Sequence, residues 1–85
     1  MNNVVNEKVS VISLYDKTKG SFAPVKLLWQ GKFRRISKIG FHHSKWQGRK
    51  LIHIFSVTDN ALCYYLSFDT ETLHWELMEV TDGIT

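Results

Sequence analysis

Eighty-five residues with 44% apolar and 13% aromatic side chains, one proline and five glycines suffice for one small packed domain and are too apolar for a disordered chain. No apolar run approaches the ~20 residues that carry a helix across a bilayer, so a membrane role is not expected. The net charge of +3 conceals a polarity along the chain: residues 17–58 hold ten Lys and Arg and no carboxylate, whereas residues 59–85 hold six Asp and Glu and no Lys or Arg.

In chain order, short runs of β-branched and aromatic residues alternate with turn residues, and no window carries a helical stripe. A first strand is predicted at Lys8 to Tyr15, followed by a polar loop, DKTKGSFAP, that Pro24 closes. Strand two is VKLLW, Val25 to Trp29. Gln30-Gly31 then forms a two-residue hairpin connection with glycine free to take positive φ. Strand three is predicted from about Lys32 to His43, with a shift of apolar phase that implies a bulge, placed at Gly40. SKWQGR is read as a loop. KLIHIFSV, Lys50 to Val57, is apolar on both phases and is expected to be a central strand covered on both faces.

Thr58-Asp59-Asn60-Ala61 supplies the next turn, and LCYYLSF returns with Leu62, Tyr64, Leu66 and Phe68 on one face. Asp69 to Thr72 turns the chain into HWELMEV, His74 to Val80, and DGIT is expected to fray. The sum is an all-β, single-domain antiparallel meander of five to six strands, spanning 1–85 with a core of about 7–82, either a twisted sheet or an SH3-like barrel. Trp29, Phe33, Phe55, Leu66, Phe68, Trp75 and Leu77 are the expected core.

The order Pro24-Val-Lys-Leu-Leu-Trp-Gln-Gly-Lys-Phe33, then Trp46, Tyr64-Tyr65-Leu66 and His74-Trp75-Glu76-Leu77 resembles a family of small uncharacterised bacterial proteins. Those proteins have a proline before a strand ending W-x-G and a terminal W-x-L strand. The resemblance covers about residues 7–82, although the second tryptophan expected beside Trp46 is absent. Some members are encoded near DNA-damage polymerase genes, which implies a nucleic-acid context. The family has no established activity, so no residue role follows from it.

The leading functional signal is GKFRRISKIGFHHSKWQGRK, residues 31–50, with seven cations and no carboxylate. Lys32, Arg34, Arg35, Lys38, Lys45, Arg49 and Lys50 are the candidate phosphate contacts, and Trp46 and Phe41 the candidate stacking rings. Arg34 and Arg35, being neighbours on a strand, must point to opposite faces. The competing explanation is that the acidic end folds beside the basic middle and pairs with it across strands, at roughly 0.2 to 1 kcal/mol per pair.

Catalysis is not expected: the chain has no G-x-S-x-G, phosphate loop, G-x-G-x-x-G or H-E-x-x-H motif. His42, His43, His53, His74 and Cys63 show no pair with zinc-ligand spacing, so neither metal nor cofactor is expected. Cys63, the only cysteine, reads as a small buried hydrophobe. It leaves no intramolecular disulfide, and the opening MNNVVNEKVSV lacks the pattern of a secretory signal, so a cytoplasmic setting is expected. The expectation is a binding module for nucleic acid or an acidic protein surface. The rival is an accessory domain that docks, or pairs with itself, edge strand to edge strand.

Overall fold

The computed structural model describes residues 3–82. Seven antiparallel strands form one sheet: β1 (Asn3–Asp16), β2 (Ser21–Trp29), β3 (Lys32–Arg35), β4 (Lys38–Gln47), β5 (Lys50–Thr58), β6 (Cys63–Asp69) and β7 (Trp75–Thr81). Their order across the sheet is β3-β2-β1-β7-β6-β5-β4. Two meanders, β1–β3 and β4–β7, are thus joined side by side through the β1–β7 ladder. No helix among the described residues is long and apolar enough to cross a membrane.

The turns follow their local chemistry. Gln30 (φ 54°) and Gly31 (φ 72°) both lie in the left-handed region, the requirement of a type I′ hairpin. Asp59 Oδ1 accepts from the backbone N–H of Ala61 (3.0 Å) and of Leu62 (2.8 Å). Asp69 Oδ1 does the same for Glu71 (2.8 Å) and Thr72 (3.3 Å), so one aspartate organises each of the last two turns.

Four register shifts, at Val4/Glu7, Ile12/Ser13, Ile39/Phe41 and Tyr65/Leu66, interrupt the ladders. Each adds local twist, and together they curl the sheet into a half-barrel. Its two edges converge at one corner, where Ile36 N–H donates to the Val25 carbonyl (3.0 Å) and Ser37 N–H to the Thr58 carbonyl (2.8 Å). Away from that corner the curl stays open: among the described residues no Cα of β2 comes within 8 Å of β4, well beyond the ~4.8 Å of a paired ladder.

The concave side holds the core, in which Leu27, Phe55, Val57, Tyr64, Leu66, Trp75, Leu77 and Val80 are buried. Phe22 on β2 bridges the layers, its ring 5.6 Å from Phe55, 5.4 Å from Phe68 and 6.3 Å from Trp75 in edge-on geometry.

Several expectations need correction. There are seven strands, because the single strand expected over Lys32 to His43 breaks at Ile36-Ser37 to turn the corner. Its bulge does fall at Gly40, where an added Cβ would meet the Ser56 Oγ at 3.2 Å. SKWQGR is not a loop: β4 continues through Trp46 to Gln47, and only Gly48-Arg49 turns, with Gly48 at φ 64°. Ser21 to Pro24 also belong to a strand. Pro24 is tolerated there because the ladder slips opposite it and β3 pairs only from Lys26 onward, so no partner asks for its missing N–H. Phe33, expected in the core, is 64% exposed because it shares the convex face with Leu28. Trp29 and Phe68 are half-buried at the rim of the core. The fray expected for DGIT lies, beyond Asp82, outside the described residues.

Candidate functional site

Residues 32–50 make the two edge strands β3 and β4 and the corner between them. β4 is exposed at all ten positions, and one of its edges carries no partner strand. No residue opposite β3 or β4 in either ladder is Asp or Glu, so cross-strand neutralisation does not account for this charge. The acidic strand β7 lies elsewhere, between β1 and β6, with Glu76 opposite Lys8 and Glu79 opposite Val4.

Register sorts the side chains onto two faces, since a residue shares its face with its ladder partner. Phe33 and Arg35 lie with Leu28 and Lys26 on the convex face, as do Lys38 with Thr58, Phe41 with Ser56, His43 with Ile54 and Lys45 with Ile52. The result is a continuous convex ridge in the order Phe33, Arg35, Lys38, Phe41, His43, Lys45. Phe41 and His43 stack on each other at 5.4 Å with planes 19° apart, and Tyr65 stands 6.3 Å from Phe41. From Lys38 to Lys45 the ridge runs roughly 20 Å, at about 3.4 Å per residue with the bulge allowed for.

The remaining candidates go elsewhere. Arg34 shares the concave face with Leu27 and turns inward: its guanidinium lies 5.0 Å from the Trp29 ring centroid and donates to the Tyr64 hydroxyl (3.3 Å) and Gln30 Oε1 (3.4 Å). Tyr64 in turn donates to Asp59 Oδ2 at 2.6 Å. Burial first, and then that hydrogen bond, push the Tyr64 hydroxyl up to about 12. Burial alone would raise Asp59, but the Tyr64 hydroxyl, the amides of Leu62 and Ala61, and Arg34 together hold it below the usual carboxylate value. Lys50 is half-buried and pairs with Asp69 Oδ2 at 3.4 Å. Lys32 is exposed at the β2–β3 hairpin and Arg49 at the β4–β5 turn. Trp46, 70% exposed, lies opposite Leu51 on the face away from Phe41, so the two expected stacking rings do not share a surface.

No family model matches the chain, and no match emerged among curated proteins or solved structures. The site is therefore described by its own geometry.

Behind the ridge, the convex face of β5–β7 forms an open groove of about 540 Å³ with Ile52, Ile54 and Met78 as its apolar part. Lys45 and Lys50 stand along it with Asp69 and Glu76, so its charge is mixed. The other side of β4 carries a smaller cleft of about 280 Å³ at the open mouth of the half-barrel, lined by Phe22, Ile39, His42 and Phe55. Sequence reasoning missed this cleft entirely, because it assigned Phe22 to a loop.

Proposed function

We propose that the protein is a non-enzymatic, cytoplasmic binding module that holds single-stranded nucleic acid along the convex ridge of β3 and β4. The observation that carries this reading is the alternation of cations and exposed rings, with no carboxylate between them: Arg35, Lys38 and Lys45 among Phe33, Phe41 and His43. Cations at that spacing neutralise phosphates, and a ring whose face is open to solvent accepts a base by stacking, which any base can satisfy. Single strands are favoured over duplex because stacked bases in a duplex hide the faces that Phe41 would use. The resemblance to the bacterial family noted above supports the same nucleic-acid context.

The test is anisotropy of a labelled 12-nucleotide single strand against the double variant Arg35→Glu/Lys38→Glu and against Arg34→Ala. The first should abolish binding and the second should leave it within about twofold. Equal losses in both would sink the assignment of the ridge.

A second reading, docking of an acidic protein strand or of a second copy, is favoured by one observation: β4 presents a ten-residue edge with every side chain exposed. A concentration-dependent dimer insensitive to salt would favour it.

A further inference from the structure

On the side of β4 away from the ridge, His42 and His53 face each other across the β4–β5 ladder at the mouth of the half-barrel. His42 Nε2 stands 2.8 Å from His53 Nδ1, and the rings lie 5.0 Å apart and 28° from parallel. His42 is held flat against Phe55, with centroids 4.2 Å apart and planes 3° apart, and Phe22 packs edge-on to both imidazoles at 6.3 and 5.1 Å. Two imidazole nitrogens are thus converged and their rings braced by aromatic neighbours, at a position open to solvent.

We infer that this pair is a binding site for a divalent transition metal of the copper(II) or nickel(II) kind, with the two imidazoles as adjacent ligands. Metal–imidazole bonds of about 2.0 to 2.1 Å subtending a right angle place the two nitrogens roughly 2.8 to 3.0 Å apart. A tetrahedral angle would need about 3.3 to 3.4 Å. The observed separation therefore suits the right-angled geometry that copper(II) and nickel(II) prefer and tetrahedral zinc does not. The contact now holds one shared hydrogen, so a metal takes its place when that proton is lost and both lone pairs turn toward one point.

Among the described residues no group of three or more His, Cys, Asp and Glu side chains is placed to hold a metal, so the remaining positions fall to water or to an atom of a bound molecule. The lowered basicity of both rings, from burial first and at His42 also from His53 and His43, keeps them neutral and available at neutral pH. The site is independent of the ridge, since His42 lies on the opposite face of β4 from Phe41 and His43.

The experiment is titration of the full chain with copper(II) and with nickel(II), followed by histidine ring resonances in NMR and by the copper EPR spectrum. The inference predicts saturable 1:1 binding, paramagnetic broadening that begins at His42 and His53, and an axial spectrum with coupling to two nitrogens. His42→Asn and His53→Asn should each weaken binding tenfold or more, while His43→Asn leaves it unchanged. Broadening that begins at His43 or His74, or no saturable binding by the wild-type chain, would overturn it. Because the wild-type spectra identify the ligands directly, a variant that fails to fold does not remove the test. Loss of nucleic-acid binding in Arg35→Glu/Lys38→Glu with metal binding intact would separate this site from the ridge.

Discussion

Arg34 and Arg35 are adjacent and chemically identical, yet the pleat gives them different work. Arg34 is tied to Trp29, Tyr64 and Gln30 on the concave side, whereas Arg35 stands exposed on the ridge. Arg34→Ala should cost about 1 to 2 kcal/mol in denaturant unfolding, from the lost ring contact and hydrogen bonds. Arg35→Ala should change stability by less than about 0.5 kcal/mol. The Arg34–Tyr64–Asp59 chain also sets pH limits. Tyr64 binds its proton more tightly folded than unfolded, so its contribution is complete below pH 10 and is lost as pH rises toward about 12. Asp59 titrates lower in the folded state, so its contribution is present above 3.8 and is lost as pH falls below it. Asp59→Asn should therefore lower stability at neutral pH and flatten the acid limb of a stability–pH profile. Leu73 is an exposed leucine held at φ 64° by a turn that closes with its N–H on the Asp69 carbonyl at 2.7 Å. Leu73→Gly should raise stability by about 0.5 to 1 kcal/mol in chemical denaturation, since glycine takes this conformation without strain.

At the scale of elements, β4 is where sequence and structure part most. The all-β class, the Gln30-Gly31 hairpin, the bulge at Gly40 and both aspartate turns were legible, because each depends on residues within a few positions of one another. The corner at Ile36-Ser37 was not, because it is fixed by carbonyls of Val25 and Thr58 that are distant in sequence. Phe22 was hidden for a similar reason: GSFAP reads as a loop, and only the slipped register that accommodates Pro24 brings the ring to the centre of the aromatic cluster. The candidate site was half legible. Period-two alternation implied that the basic stretch divides between two faces, but treating Trp46 as a loop residue obscured that it lies opposite Phe41. The His42–His53 pair carries no local spacing signal, since a hairpin rather than a short motif brings its members together. Within the ridge, Phe41→Ala should weaken single-strand binding about tenfold or more, as one base loses its stacking partner. Trp46→Ala should change it little, and affinity measured on both variants checks the assignment of faces.

The whole molecule is a half-barrel whose two faces do different things. Its concave side spends most of the aromatic residues on packing, with Phe22 reaching across to Phe55, Phe68 and Trp75. Its convex side leaves a basic edge unopposed, because the acidic β7 is paired between β1 and β6. A chain with separated charge and a small core would be expected to neutralise itself if stability were the only constraint. Here the ladder partners of β3 and β4 contain no carboxylate, which leaves the ridge for an external anion. The measurement that bears most directly on this is the salt dependence of binding to a labelled single strand, compared with a duplex of the same sequence. With Arg35, Lys38 and Lys45 each meeting a phosphate, log K should fall against log salt with a slope of about −2 for the single strand, and the duplex should bind more weakly. Binding absent even at low salt, or equal for duplex and single strand and unaltered by Phe41→Ala, would contradict the account.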